Sequence, residues 1–319
     1  MSAIFFLFDV DLGQSASMRL PNGRWCIFDV GCNSTFSPVR WIAGNGQGSL
    51  IAQALFGVPS FCFLKGTVSH MHGDHLADYA NLFQHGPEFL KTVNADQAYV
   101  TDCYASCSNE LSRATVRAFS QRYASGFSPA VSTPDYGGVQ ISELCLPVAV
   151  ARQIGGDANS RVNNASVVTR IDVYGKSILL CGDMEREAWE ILLGQDCAQM
   201  LQRGQYGING NAWRALVANV DILVAPHHGH RSGYSTDLLN LAKPSVVLAS
   251  VVAKDPHVDS RYSQIPVQGI QVGAMRYSLI STRAQSHIRI EIHPPDVLSG
   301  QFRGATYWMF GEIAVKHPI

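Results

Sequence analysis

Ser69-His70-Met71-His72-Gly73-Asp74-His75 gathers three of the chain's 11 histidines and an aspartate into seven positions. The apolar run 61–68 leads directly into it. A strand end that opens into a loop can aim several imidazoles and carboxylates at one point, and these are the groups that bind zinc and similar divalent metals. Gly73 is expected to leave the backbone free to turn there. Two later segments repeat the arrangement: the apolar run 177–181 ends in Gly182-Asp183, and the run 221–225 ends in Pro226-His227-His228-Gly229. Three strand ends therefore deliver metal-binding side chains, namely His70, His72, Asp74, His75, Asp183 and the His227/His228 pair. Asp183 also stands where an N-cap would open a helix over 185–201. One of the two adjacent histidines is expected to be structural, and His227 is favoured as the ligand.

Outward from these segments, the chain opens with short apolar runs at 4–8, 17–20 and 25–28, the last two separated by the turn Pro21-Asn22-Gly23. Over 96–126 the spacing becomes helical, with Leu111, Val116 and Phe119 set among polar residues. A second β-rich half has runs at 166–173, 177–181, 221–225, 245–252 and 287–292, with helical stretches at 185–201 and 236–242. This order predicts an α/β (α+β) fold in which two sheets pack face to face under helices, a layered αββα sandwich. One domain over 1–319 is expected, with a helical and loop insertion over 80–160. Hydrophobic residues at 46% and charged residues at 15% suit a chain that buries a core. With 24 basic against 25 acidic residues there is no global positive field for nucleic acid, so a polyanion would need a local patch or metals. No run reaches the roughly 18 uncharged apolar residues of a membrane span, so no membrane insertion is expected. The run 4–8 is followed by Asp9 and Asp11 and reads as a strand rather than a signal peptide. Eight scattered cysteines lack the spacing of a disulfide framework, which suits a reducing cytoplasm.

His70-Met71-His72-Gly73-Asp74-His75 matches the HxHxDH signature of the metallo-β-lactamase superfamily, in order with Gly182-Asp183 and the later histidines. Within that superfamily the chain resembles the hydrolase domain of ComEC-type competence DNA-uptake proteins. The resemblance is carried by Phe8-Asp9-Val10 with Gly13-Gln14, Phe28-Asp29-Val30-Gly31, Asn163-Asn164-Ala165-Ser166, Leu179-Leu180-Cys181-Gly182-Asp183-Met184-Glu185 and Ala225-Pro226-His227-His228-Gly229. It implies two divalent metal ions, zinc or manganese. His70 and His72 would bind the first, Asp74, His75 and one of His227/His228 the second, and Asp183 would bridge them. Asp29, Asn163, Asn164 and Ser166 would support the ligands from behind. The Asn163–Ser166 stretch stands where many members carry a further metal-binding histidine, so the first metal is expected to be short of a ligand. His230 stands where the ComEC-type branch has serine.

The activity implied is that of a metal-dependent hydrolase, a phosphodiesterase or nuclease acting on DNA, RNA or another phosphodiester. Asp74 and Asp183 would lie at its catalytic centre. His228, His230 or His257 would orient the phosphate or protonate the leaving alkoxide, because imidazole titrates near the working pH. Arg113 and Arg117, one turn apart in the insertion, are candidates to grip a nucleic-acid backbone. Two alternatives stand beside this. The same metal chemistry attacks carbonyl carbon, which would make a lactone, thioester or β-lactam hydrolase. A non-catalytic binding subunit with a protein partner is the other.

Overall fold

Short apolar strands, most of them buried on both faces, build two sheets that share one core. The computed structural model describes residues 1–11, 13–45, 61–93, 96–124, 134–251, 258–265, 269–272, 275–282, 287–295 and 305–310. The first sheet contains β1 (Ala3–Leu7), β2 (Ser15–Arg19), β3 (Trp25–Val30), β4 (Lys65–Thr67) and β5 (Phe89–Lys91) in that spatial order. The strands later called β14 (His287–Ile292) and β15 (Ala305–Phe310) add to its β1 edge. β1 to β3 run antiparallel, and β3, β4 and β5 run parallel. The second sheet contains β6 (Gln140–Leu144), β7 (Val168–Val173), β8 (Lys176–Leu180), β9 (Ile222–Val224), β10 (Val246–Ala249) and β13 (Leu279–Ser281), ordered β13-β10-β9-β8-β7-β6. Its β8, β9, β10 and β13 are parallel, whereas β6 and β7 are antiparallel additions. A small hairpin of β11 (Ile270–Val272) and β12 (Met275–Tyr277) stands apart.

Period-two alternation sorts side chains into layers. Phe5, Leu7, Met18 and Phe28 from the first sheet meet Ile178, Leu180, Val224 and Leu248 from the second in a buried central core. The opposite face of the first sheet, with Trp25 and Ile27, packs on Leu76, Tyr99 and Phe119 from helices Gly73–Leu76, Gln97–Ser106 and Glu110–Ala124. The opposite face of the second sheet, with Leu179, Leu223 and Val247, packs on Trp189, Trp213 and Leu238 from helices Arg186–Leu193, Gly210–Val217 and Thr236–Ala242. Each fully buried Leu, Ile or Phe contributes about 1.5–3 kcal/mol relative to exposure. The layers run helix, sheet, sheet, helix, as the αββα expectation has it.

Some elements differ from the sequence reading. The stretch 185–201 is not one helix: it holds Arg186–Leu193 and the first part of a second helix, Cys197–Gln205. Gly194 ends the first by donating its N–H to the Glu190 carbonyl, and the Asp196 side chain caps the second. Asp183 is therefore not an N-cap; Glu185 takes that position. The stretch 80–160 holds helices but also supplies β5 and β6, the outermost strand of each sheet at one side. Among the described residues no helix is long and apolar enough to cross a membrane.

Candidate metal centre

The three segments singled out in the sequence all follow strand ends. The loop after β4 carries Ser69 to His75, the residues after β8 carry Gly182-Asp183, and those after β9 carry Pro226 to Gly229. Carboxyl ends of parallel strands are where open α/β sheets place ligands. His72 sits at the N-cap of the short helix Gly73–Leu76, which turns Asp74 and His75 back over the strand end. Gly73 has an ordinary backbone angle, so its role is not the free turn expected of it. A Cβ there would lie 3.0 Å from the Ser112 hydroxyl, and the small residue lets the helix Glu110–Ala124 approach.

Two sets of ligand-type atoms result. Asp74, His75, Asp183 and His228 form one group and His70, His72 and Asp183 the other, with the atoms of each group all within 4.8 Å of one another. Asp183 belongs to both. Its Oδ1 lies 3.2 Å from His75 Nε2, and its Oδ2 lies 3.5 Å from His228 Nε2 and 3.8 Å from His70 Nε2. Asp74 Oδ2 is 3.6 Å from His228 Nε2. His228, rather than the favoured His227, joins a group. Both histidines have left-handed backbone, with φ of 56° and 49°, and this turns the two rings in different directions. His227 instead directs Nδ1 to the Ser232 hydroxyl at 2.7 Å and toward Glu185 at 3.6 Å, with its Nε2 3.9 Å from Asp183.

Each grouped histidine is held from behind through its other nitrogen, which fixes ring orientation in metal sites. Asp29 Oδ2 lies 3.0 Å from His75 Nδ1. The Ser250 carbonyl lies 3.1 Å from His228 Nδ1. Ser69 Oγ, which donates to Asp29, lies 3.0 Å from His70 Nδ1. Ser106 Oγ, which donates to the Cys103 carbonyl, lies 3.0 Å from His72 Nε2. With the two hydroxyl protons so committed, His70 and His72 spend their own N–H on these serines. His70 Nε2 and His72 Nδ1 are then two lone pairs facing each other at 2.9 Å. That juxtaposition suits a cation. His75 Nε2, Asp183 Oδ1 and His228 Nε2 are likewise buried without hydrogen-bond partners, and a second cation would satisfy them. The donor set of imidazoles and carboxylates fits zinc or manganese.

Electrostatics divide the histidines in the same way. Burial, then the charge of His75, pushes His70 well below the ordinary imidazole range, and burial also lowers His72. Burial opposes a proton on His75 and His228 as well, but there the carboxylates win. Asp183, Asp29 and Asp74 hold His75 well above its ordinary value, and Asp183 and Asp74 raise His228 to about 10. Burial opposes ionisation of Asp183 and Asp74, yet His228 and His75 hold both well below the carboxylate range. Without metal, the carboxylates thus favour a proton on His75 and His228 over one on His70 and His72.

The stabilisation from the raised His228 pKa is complete below the unfolded value near 6.5 and is lost as pH rises through about 10. Metal-free protein should lose several degrees of Tm between pH 7 and 10, and saturating Zn²⁺ should reverse the trend because deprotonated imidazoles are the ligands. Melting curves with and without chelator check this, with His228→Gln as reference; a metal-free Tm that stays level would contradict it.

The other expected residues are placed as follows. Asp29, itself left-handed at φ 55°, accepts from the Ser69 backbone N–H at 2.6 Å as well as holding His75. Ser166 Oγ accepts from the Asp183 N–H and lies 3.4 Å from His70 Nδ1. Asn163 and Asn164 are buried and both contact Glu185. His230 lines the cavity and pairs with Ser232 at 2.9 Å. His257 lies outside the described residues. Arg113 pairs with Glu110 and the Tyr104 carbonyl, while Arg117 is exposed. Sequence reading assigned no role to Ser69, Ser106, Ser232, Ser250 or Glu185. Ser69 and Glu185 flank motifs and so carried some signal; the other three meet the site only through the fold. The cavity over the centre measures about 440 Å³, within the usual range for a ligand pocket. Ser106, Ser108, Ser112 and Asn159 line it, and among the described residues no Lys or Arg does.

No protein-family model matches the chain, and no curated protein matches it. Among solved structures it is similar to a member of the metallo-β-lactamase superfamily from Thermotoga maritima, at 9% identity and a TM-score of 0.32 over 88% of this chain and 83% of that one. Human tRNase Z, short form, is similar at 12% identity and a TM-score of 0.35, over 78% and 92% of the two chains. The CmlA β-hydroxylase is similar at 12% identity and a TM-score of 0.41, over 77% of this chain and 46% of that one.

Proposed function

We propose that the chain is a two-metal hydrolase of the metallo-β-lactamase type whose substrate is a phosphodiester. The observation that carries this is the sharing of Asp183 by two groups of ligand-type atoms, several of them buried without partners. Bound there, two divalent cations supply Lewis acidity and make water a nucleophile near neutral pH. The chain's own part is to present donor atoms in fixed orientations. Asp29, Ser69 and Ser250 hold the outer nitrogens of His75, His70 and His228, so that the Nε2 atoms converge on Asp183. His227, anchored by Ser232 and facing the cavity, would pass a proton to the leaving oxygen, and Ser232 links it to His230. The sequence resemblance to ComEC-type domains supports phosphate as the substrate class. DNA, RNA and cyclic nucleotides are the candidates within it, and a protein partner would belong to the same proposal.

A second reading, hydrolysis of a lactone, thioester or β-lactam, is favoured by a cavity lining that is rich in hydroxyls and, among the described residues, has no Lys or Arg to grip a phosphate. Turnover of bis-nitrophenyl phosphate, a lactone and a cephalosporin by zinc- or manganese-loaded protein separates the two. Phosphodiester cleavage that chelator abolishes is the expected result. Carbonyl cleavage with the phosphodiester untouched would establish the second reading instead.

A further inference from the structure

We infer that the side-chain carbonyl oxygen of Asn163 is a ligand for the cation held by His70, His72 and Asp183. The inference rests on the two-cation reading above. Asn163 lies near the end of helix Ala158–Asn164 with no exposed surface, yet it lines the cavity beside His72 and Asp183. Its Nδ2 donates to Glu185 Oε1 at 2.9 Å. A carboxylate only accepts, so the amide nitrogen must face Glu185 and the oxygen must face away from it. That oxygen has no hydrogen-bond donor. A buried acceptor without a partner is unfavourable, and a cation in the cavity would offset that cost.

The amide is also fixed in place. Glu185 receives the Asn163 amide on its carboxylate, while its backbone N–H donates to Asn164 Oδ1 at 3.0 Å, so one residue clamps both asparagines. Asn164 cannot take the same role, because the atom it leaves without a partner is its Nδ2, a donor. His70, His72 and Asp183 supply two imidazole nitrogens and one carboxylate oxygen, one donor fewer than the four of the other group. The Asn163 oxygen makes the two donor sets equivalent, each with two nitrogens and two oxygens and with Asp183 in common. An amide carbonyl adds no charge and suits hard cations such as manganese.

Calorimetric titration of the metal-free protein with Zn²⁺ tests this. Wild-type protein should show two sites. In Asn163→Ala one site should weaken at least tenfold while the other stays within twofold, with a melting curve confirming that the variant folds. Two sites of unchanged affinity in the variant would overturn the role of Asn163 and leave the two-cation reading standing; wild-type protein that binds no zinc would overturn both. Zinc-loaded wild-type crystals read the contact without a substitution. The Asn163 oxygen should lie about 2.0–2.2 Å from the metal, and a separation beyond about 3 Å would overturn the inference.

Discussion

Asp183→Asn protein should lose both bound cations and fall by about 10³-fold or more in turnover. Asn keeps the shape and the backbone contact with Ser166, so the change is one of charge and donor strength. A bound metal supplies several kcal/mol of transition-state stabilisation, and each 1.36 kcal/mol is about tenfold in rate. Loss of one ligand from one site would leave the other occupied, whereas Asp183 serves both. The metal-free protein should change as well. Asp183 is the main charge that raises His228 and a leading one for His75, so in Asp183→Asn both imidazoles should lose their protons at lower pH. Removing one partner of a buried ion pair costs about 3–5 kcal/mol. Here the imidazoles can shed their protons, so the cost at neutral pH should be smaller, and the fall in Tm between pH 7 and 10 should flatten. Calorimetric titration, turnover and melting on the same preparation read all three effects. A variant that kept two cations at wild-type affinity would remove Asp183 from the bridging position.

Gly182→Ala should damage the centre although it adds only one methyl group. Gly182 has φ +56°, and a Cβ there would lie 2.8 Å from the Ser166 side chain and 2.9 Å from the Ser69 Cβ. The left-handed backbone costs an alanine about 1–2 kcal/mol, and overpacking a tight site adds about 1–3 kcal/mol. Relief requires moving Ser69, which contacts Asp29, His70 and His75, or Ser166, which holds the Asp183 N–H. The expected outcome is a Tm lower by roughly 3–7 °C together with weakened cation binding. Thermal melts with and without Zn²⁺ check it; a Tm unchanged within about 1 °C would show that the two serines yield freely.

Local and long-range information divide sharply in this chain. The cluster at 70–75 is legible because its ligands lie within one loop, and Asp183 and the histidine pair are legible because each follows an apolar strand. Which histidine of the pair enters a group was not legible. It depends on left-handed backbone at both positions, which no spacing rule encodes. Asn163 and Glu185 are 22 positions apart and meet only when a helix end packs beside the segment after β8. The layered sheets follow from apolar runs buried on both faces, plain in β1 and β8, and from period-two alternation in β7 and β14. By contrast β6 is half-exposed along its length, and helices Val148–Ile154 and Ala158–Asn164 are seven residues each, too short for a periodic signal. The break at Gly194 inside 185–201 was hidden because both flanking segments carry apolar residues at helical spacing and so read as one helix.

The convergence of three loops on Asp183 is best tested by an anomalous-difference map from crystals soaked in Mn²⁺. The account predicts two peaks about 3.5–4 Å apart, one against His70 and His72, the other against Asp74, His75 and His228, with Asp183 between them. A single peak, or manganese bound elsewhere with these imidazoles bare, would contradict it.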